Sequence, residues 1–391
     1  MITDPTAVFF VLAGVVAVAI ALERHTRVFA ALGSALVGIL LGMFLSNAGV
    51  LPGTSPAYDF LGGPAVYAGI ILILLTVDVR SVVQAGPTML AAFAIGAVGS
   101  ALGASLAALA LSGAIGDETW KLAGQYTATY TGGGVNFAAV GAALETSGEL
   151  FAAGIAADVM MTAVWMAACL TVPVLFAARS AGGRLGDEDT ADARAAVDGS
   201  PEDDGPGLHR TLYSSVGAIG LSDIALMAAI VLGTLWLSDW LGVVLAPVPS
   251  VLFLTTIALV LAQLPVVRGL TGAGVLGNYL VLTFLASNGA MSVFANIVAI
   301  GPPIVYFAVI TVLVHGLVIF GVGSLVGLDL KTLAVASQAN VGGPASAMAL
   351  ATARGYTDRL LPGVAVGLLG YAVGNYLGLA VAGMMRSVLG G

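Results

Sequence analysis

The sequence predicts an all-α integral membrane protein with ten transmembrane helices plus two re-entrant or broken helical hairpins, set in two inverted-topology repeats. Three observations predict it. Of 391 residues 59% are apolar and only 9% charged, with a mean hydropathy of +1.04, whereas an ordinary globular domain carries about 25% charged residues. Apolar runs close to the length of a membrane span recur along the chain. Two Gly-rich interruptions fall at matching places in its two halves.

The same inventory excludes several classes. A net charge of −8, from 13 Lys plus Arg against 21 Asp plus Glu, leaves no basic field for nucleic acid. The single cysteine, Cys169, rules out disulfide scaffolds, thiolate zinc sites and iron–sulfur clusters. The chain contains no GxxxxGK[ST], GxSxG or HExxH, so neither ATP drive nor a familiar hydrolase is expected. No helix carries the arginine ladder of a voltage sensor. The expectation is a protein that is not an enzyme and has no cofactor beyond a bound sodium ion.

A span needs about 20 mainly apolar residues to cross roughly 30 Å of hydrocarbon. Runs that qualify lie near 6–22, 28–48, 62–77, 87–113 and 150–177, then 220–238, 245–263, 271–288, 302–327 and 361–385. The first lacks a basic flank and an obvious cleavage site, so it reads as a retained helix rather than a signal peptide. Residues 178–217 hold eight of the 21 acids and are rich in Gly, Pro and Asp, too polar to bury. They form an acidic linker between a first five-span repeat, 1–177, and a second, 218–391.

Two further segments, 118–148 and 329–359, are moderately apolar but interrupted by Thr131–Gly134 and by Val341–Pro344. The limb from Glu118 to Thr131 would extend only about 21 Å as a helix, too short to cross. Each segment therefore reads as a hairpin with its tip near the midplane. Loop charge supports this, because Lys and Arg gather on the cytoplasmic side. With both hairpins re-entrant and both termini outside, 11 of the 13 basic residues fall inside and only Lys121 and Arg386 outside. The linker is then cytoplasmic, the first hairpin enters from outside, and the second enters from the cytoplasm of this cell-membrane protein.

A shift of 210 residues lays the first break over the second without a gap. Lys121 meets Lys331, Thr127 meets Ser337, Gly132 and Gly133 meet Gly342 and Gly343, and Asn136 meets Ser346. Identity is low, but both breaks precede the last span of their half, as in transporters built from inverted repeats. Unwound backbone at membrane depth is tolerated where it is buried in protein or lines a watery cavity. The candidate solute ligands are Thr131, Gly132, Gly133, Gly134 and Asn136 at the first tip, with Gln338, Asn340, Gly342, Gly343 and Ser346 at the second. Free amides at the start of each second limb suit an anion. Free carbonyls near Tyr130 and Asn340 suit a small cation.

Asp158, in AADVMMT, lies inside the fifth span, where an acid costs on the order of 2.5–3.5 kcal/mol. Intramembrane acids are functional candidates, so Asp158 is assigned to ion coupling together with Thr129 and Tyr130. Asn375, the polar residue of the tenth span, is a further candidate solute ligand. His315, deep in the ninth span, reads as a packing residue. Asp78 and Arg80 read as a pair at a helix end, and Glu23, Arg24 and Arg27 as interfacial anchors.

The stretches YTGGGVNFAAV (Tyr130–Val140), SQANVGGPASAMALA (Ser337–Ala351) and LLTVDVRS (Leu74–Ser81) resemble the domain-of-unknown-function 819 family of multipass membrane proteins. That family is grouped with the cation:proton antiporter and anion transporter superfamily, which holds glutamate:sodium and citrate:sodium symporters. The resemblance implies a mobile core domain carrying the hairpins, a scaffold domain that forms a homodimer, and symport by alternating access. Those symporters carry GGxG at each tip. Here the positions read Gly132, Gly133, Gly134, Val135 and Gly342, Gly343, Pro344, Ala345, so the last glycine is missing from both. They also clamp a dicarboxylate with arginine, and neither tip has one, since Arg354 lies well past the second. A neutral, zwitterionic or singly charged solute is favoured. The expected function is an ion-coupled secondary transporter, the alternatives being a cation:proton antiporter and a passive channel or sensor.

Overall fold

A computed structural model describes residues 2–78, 80, 85–180, 218–246, 248–291 and 294–390. Most of the acidic linker, 181–217, lies outside the described residues, as do the side chains of Arg27 and Arg179. The described residues are helical and contain no strand. In chain order the helices are α1 (Pro5–His25), α2 (Arg27–Asn47), α3 (Pro56–Phe60), α4 (Val66–Leu74), α5 (Gly86–Ile115), α6 (Thr119–Gly132), α7 (Gly134–Ala143) and α8 (Gly148–Ser180). They continue with α9 (Leu221–Val244), α10 (Ser250–Ala262), α11 (Pro265–Arg268), α12 (Ala273–Met291), α13 (Phe294–Leu325), α14 (Leu330–Ala353) and α15 (Thr357–Leu389).

Seven described helical stretches are long and apolar enough to cross a membrane: Pro5–His25, Pro56–Leu74, Gly86–Ile115, Gly148–Thr171, Leu221–Val244, Gly301–Leu325 and Asp358–Leu389. Three of the other expected spans depart from an unbroken 20-residue helix. α2 is interrupted at Gly33 (φ 74°, ψ 153°), leaving Gly33–Asn47 as its apolar part. α10 begins only at Ser250, because Pro249 occupies its N-cap, and it stops at Ala262. Its 13 residues extend about 20 Å, against roughly 30 Å of hydrocarbon. α12 has 19 residues and lies outside the seven. The third run enters through a π-helical turn, Leu61–Ala65, that absorbs Pro64.

Packing follows small residues. Along α5, side chains on Gly99 and Gly103 would strike the backbone of α13 at His315 (3.1 Å) and Thr311 (2.6 Å), so the two helices approach closely, as membrane helices do through glycine. α15 presents Gly367, Gly370, Gly374 and Gly378, and a Cβ on any of them would strike a hairpin: Pro344 at Gly367, then Gly132, Asn136 and Ala128 in turn. The last helix of the second half therefore lies along the first hairpin. Tyr126, Phe137, Phe151, Phe284 and Phe307 form a chain of ring contacts, with centroids 5.1–5.6 Å apart, that holds α6 and α7 against α8, α12 and α13.

Candidate functional site

Both Gly-rich segments double back. At the base of the first, the Ser147 amide donates to Glu118 Oε2 (3.1 Å) and Lys121 Nζ donates to the Glu145 carbonyl (2.9 Å). Lys121 also pairs with Glu118 (2.5 Å). At the base of the second, Arg359 lies 3.6 Å from Asp329 and donates to Thr332 Oγ1 (2.8 Å). A straight helix of 24 residues, the length of α14, would separate its ends by about 36 Å, so α14 must fold on itself. Burial pushes the Glu118 carboxyl up, but hydrogen bonds from Lys121 and Ser147 and the Lys121 charge outweigh it and hold the group below its ordinary range. At Asp329 burial is likewise outweighed, by hydrogen bonds from Thr332 and the charge of Arg359.

The reversals occur at Gly133 (φ 96°, ψ 176°) and Gly343 (φ 74°, ψ −169°), a backbone region that is essentially Gly-only. The tips touch each other. A Cβ on Gly133 would lie 3.4 Å from both Cα and N of Gly343, and one on Gly343 would lie 3.1 Å from the Gly132 carbonyl oxygen. Pro344 follows the second reversal at the start of a helical limb, where its missing N–H costs nothing.

Beside this crossing lies a cavity of about 590 Å³. Of the residues singled out from sequence, Gly134, Asp158, Gln338, Gly342 and Ser346 line it. Thr129, Tyr130, Thr131, Asn136, Asn340 and Asn375 are buried behind the wall, and Gly132, Gly133 and Gly343 form the contact between the tips. Asn136 Nδ2 donates to the carbonyls of Tyr371 (3.1 Å) and Gly370 (3.4 Å) and to Asn375 Oδ1 (3.1 Å), and Asn375 donates to Thr255 (3.2 Å). These amides fasten α15 to the first hairpin. Thr129 Oγ1 donates to Asp158 Oδ2 (3.3 Å).

Two expectations about the tips change. The amide of Gly133 is not free, since it donates to the Thr129 carbonyl (2.5 Å). The Tyr130 carbonyl is not free either, since it accepts from Ser100 Oγ. That bond ends a buried chain. Trp165 donates to Ser337 Oγ (2.9 Å), Ser337 meets His315 Nε2 (2.9 Å), and His315 Nδ1 faces the Gly96 carbonyl (2.9 Å) and Ser100 Oγ (3.0 Å). His315 thus links the two hairpins through hydrogen bonds, a role its sequence context did not signal. Asp78 pairs with Arg268 across elements (3.3 Å) and also accepts from the Arg80 amide (2.9 Å). Glu23, read as an anchor, lines the cavity and accepts from the Ser34 amide (3.0 Å).

Sequence reading also missed Ser34, Thr162, Asn278 and Tyr371 in the cavity wall. Thr162, Asn278 and Tyr371 sit in apolar helices with no local break to mark them, and Ser34 follows the interruption at Gly33. Among the described residues, buried polar atoms without a protein partner gather near the crossing: Thr127 Oγ1, Tyr130 Oη, Asn136 Oδ1, Asp158 Oδ1 and both amide atoms of Gln338 and Asn340. Folded proteins leave few such groups. A cluster beside a cavity marks where water, an ion or a solute is received.

The fold and site define a multi-pass helical membrane protein with a mainly apolar cavity, carrying a few polar side chains, beside the crossing of two broken segments. Residues 10–388 match the model of the family described as "Protein of unknown function (DUF819)", and the chain belongs to that family. It is 31% identical over 386 residues, covering 95% of each chain, to the uncharacterized membrane protein YjcL of Bacillus subtilis (strain 168).

Proposed function

We propose that the protein is an ion-coupled secondary transporter of a small organic solute, working by alternating access. The observation that carries this reading is the touching pair of glycine reversals beside a cavity lined with unpartnered buried polar groups. A transporter needs a solute site reachable from either face through a small movement, and crossed re-entrant tips meet that need. On this reading the chain makes ten spans, the short α10 among them by local thinning of the bilayer, in two inverted repeats, 1–177 and 218–391, with the hairpins entering from opposite faces and both termini outside. Its partners are the solute, lipid and a second copy of the chain. Asp158, joined by Thr129, carries the coupling ion, sodium or a proton. Transport is conformational, so no enzymatic chemistry is assigned. Exchange of a cation for protons is the second reading, favoured by the unpartnered Oδ1 of Asp158.

The topology is testable by cysteine labelling. Cys169 is buried and free, so Cys169→Ser provides a background for Asp117→Cys and Lys331→Cys at the two exposed hairpin bases. A membrane-impermeant maleimide on intact cells should label Asp117→Cys, and should label Lys331→Cys only after permeabilisation. Labelling of both from one face would defeat the inverted arrangement. Coupled transport is tested by ion movement across the proteoliposome membrane, in either direction, on addition of solutes. Flux with the parent protein and none with Gly343→Val supports the reading, and equal flux with both defeats it.

A further inference from the structure

We infer that the transported solute carries a protonated amino group, and that this group pairs with Asp158 in the cavity. The inference rests on the transport reading above and names its substrate class. It begins from the charge of the wall. The described side chains lining the cavity include two carboxylates, Glu23 and Asp158, and no Lys, Arg or His. A site for a di- or tricarboxylate would place a guanidinium or ammonium there; this one does the reverse.

Asp158 is met by neutral donors only. It is only 5% exposed, Thr129 donates to its Oδ2 and the Tyr130 hydroxyl also faces the carboxyl, but no described cation pairs with it. A buried carboxylate held by hydroxyls alone is costly unless something charged meets it. Glu23 differs, because it already accepts from the Ser34 amide at the cavity edge.

The second observation is Gln338. It also lines the cavity, is fully buried, and neither its Oε1 nor its Nε2 has a protein partner. An ammonium group has three donors. Asp158 Oδ1 takes one and Gln338 Oε1 accepts another. Gln338 Nε2 then remains as a donor, with the Ser346 hydroxyl beside it, for a hydroxyl, carbonyl or single carboxylate elsewhere on the solute. Ion and amine occupy Asp158 in turn, so movement of one across the membrane displaces the other.

The test measures thermal unfolding and solute-driven ion flux for the full chain in detergent and in proteoliposomes, with glycine, putrescine, acetate and succinate as probes. The expected result is a rise in midpoint and a flux with at least one amino probe and with neither simple acid. Asp158→Asn keeps the shape and an acceptor for Thr129, and should remove both responses. Gln338→Met should weaken the apparent affinity about tenfold, the loss of one hydrogen bond to a charged group. Parent-like melting without ligand shows that each variant folds. A response to succinate or acetate instead of the amino probes overturns the amine assignment and leaves the transport reading standing, whereas one that survives in Asp158→Asn removes both amine and coupling ion from Asp158 while transport itself stands. No flux with any probe from folded parent protein overturns both.

Discussion

The two hairpins reach one geometry by different means. Each is a pair of helical limbs parted at a glycine, but the first turns at Gly133 with Gly134 behind it and the second at Gly343 with Pro344 just behind. Their bases differ as well. The first closes through backbone groups, with Ser147 N–H on Glu118 and Lys121 on the Glu145 carbonyl. The second closes through a side chain, Arg359, that reaches Asp329 and Thr332. What the two share is a glycine in a conformation closed to other residues, at positions 210 apart, each touching the other. The reversal depends on that one backbone state, and the residues around it differ between the two segments.

The largest expected effect comes from breaking the shared feature. Gly133→Val and Gly343→Val each force a β-branched residue into a Gly-only conformation, costing of order 1–3 kcal/mol before any clash. Both should abolish solute-driven flux while membrane insertion persists. Gly343→Val should lower the midpoint further, because its Cβ meets a carbonyl at 3.1 Å whereas that of Gly133 meets the facing backbone at 3.4 Å. Retained flux in both variants would show that the tips are not the site.

Next is the pair aligned by the 210-residue shift, Asn136, which is buried behind the wall, and Ser346, which lines it. Asn136→Leu removes three hydrogen bonds to α15 and leaves the buried Asn375 Oδ1 without that donor, a loss of about 1–3 kcal/mol. Ser346→Ala, facing the cavity, should leave the unliganded midpoint within about 0.5 kcal/mol and weaken the ligand-induced shift instead. Equal destabilisation by the two would erase this distinction between frame and site.

The smallest effects are at the bases. Arg359→Met should loosen the second hairpin more than Lys121→Met loosens the first, since Ser147 N–H still holds Glu118, and each change should stay below about 1 kcal/mol as for exposed pairs. Hydrogen exchange at 330–353 and 119–143 would separate them. Glu118 and Asp329 are both held below their ordinary range. Their contribution is therefore complete above the unfolded carboxylate values near pH 4 and is lost as pH falls through the lower folded values. The acid-side fall in midpoint should be shallower in Lys121→Met and Arg359→Met than in the parent, and an unchanged slope would remove the clamp from the account.

Much of the helical frame was legible, because an apolar run of span length admits few structures in a bilayer. The breaks were legible for the same reason: Gly-Gly beside Thr, Asn and Gln in an apolar chain has to be accommodated somewhere. Sequence could not show that Gly133 would meet Gly343, or that Asn136 would turn away from the cavity toward α15 while Ser346, 210 residues on, turned into it. Those outcomes depend on helix rotation, which a span buried on nearly all sides does not encode in its periodicity. α10 was misjudged in length because hydropathy ran through Pro249 while the helix could not. The chain through Ser100, His315 and Ser337 was hidden because its members are scattered over three helices, each ordinary by itself.

The glycine face of α15 has a consequence for biogenesis. The first hairpin is covered by a helix made much later, with Asn136 and its acceptor on Gly370 lying 234 residues apart. At 5–20 residues per second that separation is roughly 10–50 s of translation. During that interval the first hairpin lacks the α15 face that Asn136 grips, so this part of the packing can form only after the end of the chain has been made.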